Sequence, residues 1–134
     1  MKPNLILIRG PSGFGKSTFA KNNFPGYFHF EADQYFVGED GVYRWRADML
    51  QNAHQDCLKK TRNALLWKSN VKVSNTFTRL SEMEAYQSLA EELNVPIKVF
   101  RMMTRYRNKH NVPESVVDNM ISRMEDFDGE FRVY

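Results

Sequence analysis

The chain has 134 residues, of which 42% are apolar and 26% charged, with a formal net charge of +3. Those totals fit one ordinary globular domain with one core. They exclude a transmembrane helix, because no run of about 18 apolar residues is present, and an internal disulfide, because Cys57 is the only cysteine.

The start, Met1-Lys2-Pro3-Asn4, leads straight into Leu5 to Ile8. That run is too short for the core of a signal peptide, and no small-residue cleavage site follows. With the lone thiol this sets the expectation of a reducing cytoplasm. Leu5 to Ile8 is continuously apolar, as in a strand buried on both faces. Lys16 to Asn23 reads as a short helix, and Tyr27 to Glu31 as a second strand after the turn Pro25-Gly26. Val37 to Tyr43 carries Gly38, Asp40 and Gly41 and reads as a loop.

A long helix follows over Ala47 to Trp67, with Leu50, Ala53, Cys57, Thr61, Ala64 and Leu65 as its buried stripe. Val71 to Asn75 is a third strand. Ser81 and Glu84 have capping-box spacing and open a helix ending near Leu93. Ile97 to Met102 is a fourth strand. Pro113 suits the first turn of a last helix whose apolar face is Val116, Val117, Met120, Ile121 and Met124. Met102, Met103, Met120 and Met124 fit a helix-to-sheet core.

Strands alternating with helices imply an α/β fold with a parallel sheet covered on both faces. Ligands of such sheets bind outside the carboxyl ends of the strands. The segments to inspect are therefore Gly10 to Thr18, Ala32 to Phe36, Asn75 to Leu80, and Met103 to Val112. The last lies within Val95 to Pro113, which holds Lys98, Arg101, Arg105, Arg107 and Lys109 and no acid. Such a run is either a solvated face or a local patch for phosphates.

Gly10-Pro11-Ser12-Gly13-Phe14-Gly15-Lys16-Ser17 matches G-x-x-x-x-G-K-[ST], between a buried strand and a helix. This is the phosphate-binding P-loop. Its glycines let several N–H groups converge on one anion, and the helix start, through Thr18, adds its positive dipole end. Lys16 reaches the β- and γ-phosphates of ATP, and the Ser17 hydroxyl is the candidate Mg2+ ligand. Asp33, in the loop after the second strand, can accept a proton from an attacking hydroxyl or cap a helix.

The chain resembles the kinase domain of the phage-type polynucleotide 5′-hydroxyl kinases and a wider set of AAA and zeta-toxin-like ATP-binding domains. That family follows its P-loop with Asp-Asp-Tyr, here Asp33-Gln34-Tyr35, and Phe36 stands where the phage enzyme has an arginine. Gly41-Val42-Tyr43, Ala53-His54 and Arg107-Asn108-Lys109-His110-Asn111-Val112-Pro113 continue the likeness. Ser74-Asn75-Thr76-Phe77 departs from the family's Asp-Asn-Thr-Asn or Asp-Thr-Asn, since the acid is missing.

The resemblance implies a P-loop NTPase fold, three-layer α/β/α, with four parallel strands in the order 2-3-1-4. It implies Asp33 as general base, Arg107 as lid arginine beside Lys16, and His54 as a substrate contact. Arg105 follows the fourth strand as a second lid candidate. Asn75 and Thr76 either orient the acceptor or cap a turn. Tyr35, Phe36, Tyr43 and Trp45 either stack on a nucleobase or pack, with packing the preferred reading. The implied reaction is phosphorylation of a nucleic-acid 5′ end, in a phage or bacterial setting. Two alternatives stay open: a kinase of a small metabolite or nucleoside, and a non-catalytic ATP-binding module.

Overall fold

The computed structural model describes residues 2–106 and 112–134. In chain order the elements are β1 (Leu5–Arg9), α1 (Lys16–Asn23), β2 (Phe28–Phe30), α2 (Leu50–Leu66), β3 (Val71–Asn75), α3 (Glu84–Glu92), β4 (Ile97–Met102), α4 (Glu114–Arg123) and β5 (Phe131–Val133). All strand pairings are parallel, in the order β2-β3-β1-β4-β5. The expected order 2-3-1-4 is present, and a fifth strand extends it. Three residues are too few to show a period. β5 is fixed by its partner: Phe131 pairs with Phe100 and stacks on it at 5.1 Å between ring centroids.

β1 lies in the middle, in register from Leu5↔Val71 to Arg9↔Asn75 on one side and from Leu5↔Ile97 to Arg9↔Arg101 on the other. Alternate side chains of a strand face opposite ways. Leu5 and Leu7 accordingly join Ala53, Cys57 and Leu65 of α2 and Tyr86, Leu89 and Ala90 of α3 in one core. Ile6 and Ile8 join Ala20 of α1 and Val117 of α4 in the other. The central strand is thus apolar throughout because both of its faces are covered. Lys72 is buried on the second face, where its ammonium donates to the carbonyls of Ala20 (3.1 Å) and Phe24 (2.9 Å) at the end of α1.

Several local expectations are corrected. The long helix begins as a 3-10 turn, Ala47–Met49. The helix after β3 is opened by Glu82 and not by the Ser81–Glu84 pair: its carboxylate accepts the Arg79 N–H at 2.6 Å and the Thr78 hydroxyl at 2.9 Å. Of the apolar face assigned to α4, only Val117 is buried, and Val116 and Ile121 are 38% and 40% exposed. This helix meets the sheet along one narrow line. Met102 alone of the four methionines is buried. Two described residues of the acid-free basic run have acid partners from elsewhere in the chain. Arg101 pairs with Asp126 (2.6 Å) and Glu130 (3.1 Å), and Arg105 pairs with Asp118 (2.9 Å). Distant acids supply the counter-charges that the local sequence lacks.

Arg9 ends β1 one residue before the P-loop, and its side chain is fully buried. It donates to the Phe77 carbonyl (3.0 and 2.7 Å), to the Glu125 carbonyl (2.7 Å) and to the Glu130 carboxylate (2.7 Å). Phe77 has a left-handed φ of 44°, a conformation that costs a side-chain-bearing residue about 1–2 kcal/mol. The Arg9 bonds to its carbonyl offset that cost and fix the turn after β3. Burial disfavours the Glu130 charge, but hydrogen bonds from Arg9 and Arg101 outweigh it and hold this carboxyl below its usual value of 4.5.

The stability from Glu130 is therefore whole above the ordinary glutamate range and is lost as pH falls through the lower folded-state value. Glu130→Gln leaves Arg9 buried without its counter-charge. We expect it to lower the unfolding free energy by about 3 kcal/mol, the lower end for a broken buried pair because the carbonyl acceptors remain. Urea melts between pH 7 and pH 3 check this, and the variant should lose part of the acid-dependent decline.

Candidate active site

The P-loop joins the carboxyl end of β1 to α1. Gly13 and Gly15 have φ of 82° and 77°, the left-handed region that glycine adopts without strain. Alternating backbone of this kind turns successive N–H groups toward one point. The first α1 residues add donors with no carbonyl one turn earlier, and Phe19 is the first whose N–H closes on a loop carbonyl, Gly15, at 3.0 Å. The strands on either side of β1 anchor the loop. The Gly10 N–H donates to Thr76 O at 3.1 Å, and the Tyr106 N–H donates to Gly13 O at 2.8 Å. A Cβ on Gly15 would stand 3.3 Å from the Tyr106 ring.

Lys16 folds over this loop, its ammonium donating to the carbonyls of Gly10 and Pro11 at 2.9 Å each. Burial pulls its pKa down to about 8, against the opposing charges of Glu31 and Asp33. A desolvated ammonium at the head of converging N–H groups is a donor set for a polyanion. The Ser17 hydroxyl is exposed and donates to Glu31 Oε1 at 2.8 Å. These residues fit a triphosphate with its magnesium ion: donors for the phosphate oxygens, and a hydroxyl for the metal.

The rest of the site comes from β2 and β3. Asp33 lies exposed in the 3-10 turn Ala32–Phe36. The Tyr43 phenol is raised above its usual pKa by partial burial first, then by the charge of Asp33 and a hydrogen bond to it. Gln34 donates to His29 O at 3.0 Å and ties the turn back to β2. Phe36 is buried and meets the Tyr35 and Tyr43 rings edge-on. Tyr43 and Trp45 are 51% and 53% exposed and Tyr35 also lies open, so only Phe36 fulfils the packing reading of that aromatic group.

Asn75 is buried. Its Oδ1 accepts the Ala32 N–H at 2.9 Å and its Nδ2 donates to Cys57 Sγ at 3.8 Å. The side chain holds the Asp33 turn against β3. His54 is exposed on α2. Arg105 is held by Asp118, and Arg107 lies outside the described residues. The structure thus brings Gly10 to Thr18, Asp33 and Asn75 to the carboxyl edge of the sheet. Two hollows of the surface lie elsewhere, one against Leu65 and Val95 and one against Phe127 and Gly129.

The sequence assigns no role to Glu31, His29 or Tyr106, and marks Tyr43 only as an aromatic and as part of the Gly41-Val42-Tyr43 likeness. One signal was available. His29 and Glu31 stand two residues apart at the end of β2, a spacing that keeps extended residues on one side.

A parallel sheet in this strand order, with a P-loop after its central strand and an acid after the strand two places away, defines a P-loop kinase fold. The family model described as AAA domain matches residues 5–127, and the chain belongs to that family. An uncharacterized protein of Pasteurella multocida (strain Pm70) is 31% identical over 138 residues, spanning 91% of this chain and 76% of that protein. Among solved structures, a chain of the Pnkp1/Rnl/Hen1 RNA repair complex superposes with a TM-score of 0.73 at 16% identity, covering 96% of this chain and 47% of that one. A sugar kinase from Janibacter sp. HTCC2649 gives 0.66 at 13% identity over 98% and 83% of the two chains. A gluconokinase from Sinorhizobium meliloti 1021 gives 0.60 at 18% identity over 98% and 82%. At these identities the likeness is one of fold. Among the described residues no helix is long and apolar enough to cross a membrane.

Proposed function

We propose that this domain is an ATP-dependent phosphotransferase whose acceptor is the 5′-hydroxyl end of a polynucleotide. The observation that carries the reading is the P-loop, with Lys16 over its carbonyls and Ser17 bonded to Glu31 at 2.8 Å, at the same sheet edge as the Asp33 turn. A phosphate cradle there faces a carboxylate able to take a proton. Bound ATP–magnesium would supply the phosphoryl group. In this reading Gly10 to Thr18 grip the phosphates, Ser17 ligates the metal, and Lys16 neutralises charge on the transferring group. Asp33 orients and deprotonates the acceptor hydroxyl, with Tyr43 fixing its direction. Arg107 completes the charge stabilisation from the lid, and His54 and Arg105 contact the acceptor strand. The open rings of Tyr35, Tyr43 and Trp45 suit a stacked nucleobase.

A metabolite kinase is the second reading, favoured by the likeness of fold to the sugar kinase and the gluconokinase. The segment after β2 argues against it. It is closed into a short hairpin by the Val37↔Tyr43 bridge, which leaves little room for an inserted substrate-binding lobe. Incubation with labelled ATP, magnesium and either a 5′-hydroxyl oligonucleotide or a metabolite panel tests both. Label on the oligonucleotide supports the first reading. Label confined to a metabolite supports the second. ATP binding with no transfer to any acceptor leaves a nucleotide-binding module.

A further inference from the structure

P-loop proteins hold magnesium between the P-loop hydroxyl and an acid from a neighbouring strand end. In this chain β3, which lies directly beside β1, ends in Ser74-Asn75 and offers no acid. The acid that touches the P-loop hydroxyl comes from one strand further out: Glu31, just beyond β2, accepts from Ser17 at 2.8 Å. His29 connects the two positions. Its Nε2 is 2.8 Å from Ser74 Oγ and 3.1 Å from Glu31 Oε1. We propose that Glu31 is the acid of the magnesium site, with the His29 ring standing between it and the β3 terminus. The inference rests on the ATP-binding reading above and adds to it the origin of the metal's carboxylate.

Two features of the geometry support this. Two oxygens in neighbouring octahedral positions around magnesium, each about 2.1 Å from the ion, stand about 3.0 Å apart. The 2.8 Å separation of Ser17 Oγ and Glu31 Oε1 is close to that edge, so a small parting of the pair would admit the ion. Moreover, magnesium on a nucleotide keeps several waters and takes only one or two protein ligands. A site of this kind needs no larger cluster, and among the described residues no group of three His, Cys, Asp or Glu side chains is arranged to hold a metal. A purely structural role for Glu31, accepting the Ser17 proton, is served equally well by a glutamine. The charge-neutral variant therefore separates the two roles.

The test measures the affinity of a fluorescent ATP analogue across a magnesium titration and again in EDTA, for the wild type, Glu31→Gln and Glu31→Gln/Ser74→Asp. In Glu31→Gln the magnesium midpoint should rise about tenfold or more, as for lost partners of other metal sites, with metal-free affinity within twofold of wild type. Ser74→Asp should recover a large part of that shift, since it returns a carboxylate to a position joined to Glu31 through one imidazole. Bound Mn2+ read by electron paramagnetic resonance gives the same comparison without turnover. An unchanged midpoint in Glu31→Gln, or an equal loss of affinity with and without metal, overturns the proposal. If the wild type binds no nucleotide under any condition, the ATP reading itself fails, and that outcome is distinct from the others.

Discussion

Lys16→Ala is expected to reduce phosphoryl transfer by a factor of about 1,000 or more, on the order of 4 kcal/mol of transition-state stabilisation, while the fold persists. The side chain contributes a point charge and little packing. Its ammonium is spent on the carbonyls of Gly10 and Pro11, both part of the loop itself. Removing it should relieve a desolvated charge in the free protein, so the melting temperature should hold or rise slightly. Its titration gives a second readout. The free protein has this lysine at about pH 8, lowered by burial. A bound triphosphate favours the charged form and raises that value. Nucleotide affinity should therefore fall as pH climbs through 8, and binding near pH 8 should take up a proton. Calorimetry in buffers of different ionisation enthalpy measures that uptake. Undiminished transfer by Lys16→Ala would remove the phosphate cradle from the mechanism.

Asp33→Asn should lower transfer by about 100- to 10,000-fold, the span typical of general acid–base groups, and change ATP affinity only a few-fold. The contrast with Lys16 is the informative part. Asp33 stands on the acceptor side of the site, exposed in its turn, whereas the phosphate donors belong to the P-loop and α1. Loss confined to kcat, with the nucleotide still bound, separates acceptor activation from phosphate gripping. Tyr43→Phe provides an intermediate case. It keeps the ring and deletes the hydroxyl whose pKa the Asp33 charge helps to raise, and a loss near tenfold should mark its part in aiming the carboxylate. Single-turnover transfer to a 5′-hydroxyl oligonucleotide, with ATP binding followed separately, checks all three variants. Equal losses of binding and transfer in Asp33→Asn would place that residue in the nucleotide site instead.

The parts of the fold legible in the sequence are those specified by neighbours along the chain. The P-loop is one, because a nest needs glycines at fixed offsets. Val71–Asn75 and Ile97–Met102 match their predicted ranges because each is a short run carrying β-branched residues after a turn segment. The Asp33 turn is also legible, since it must follow the second strand and so must face the ligand edge.

The misreadings share a cause. Val116, Ile121 and Met124 have helical spacing, but periodicity reports a preferred face and not whether anything covers it. Ser81 and Glu84 match a capping box, yet Glu82 was close enough to bond Thr78 and Arg79 first. Arg101 and Arg105 form part of a basic run only until the chain folds and Asp118, Asp126 and Glu130 arrive.

The sequence by itself determined the alternation of strands and helices, the phosphate loop and the acid beyond the second strand, since each depends on residues within a few positions of one another. Only the tertiary structure decided that Glu31 meets Ser17, that Asn75 holds the Asp33 turn, that the Asp33 charge acts on Tyr43, and that Arg9 is neutralised by Glu130 from 121 positions away. Such pairings depend on which strands lie side by side. Sheet order is set by the burial of whole faces, a sum over the entire chain that no local pattern contains.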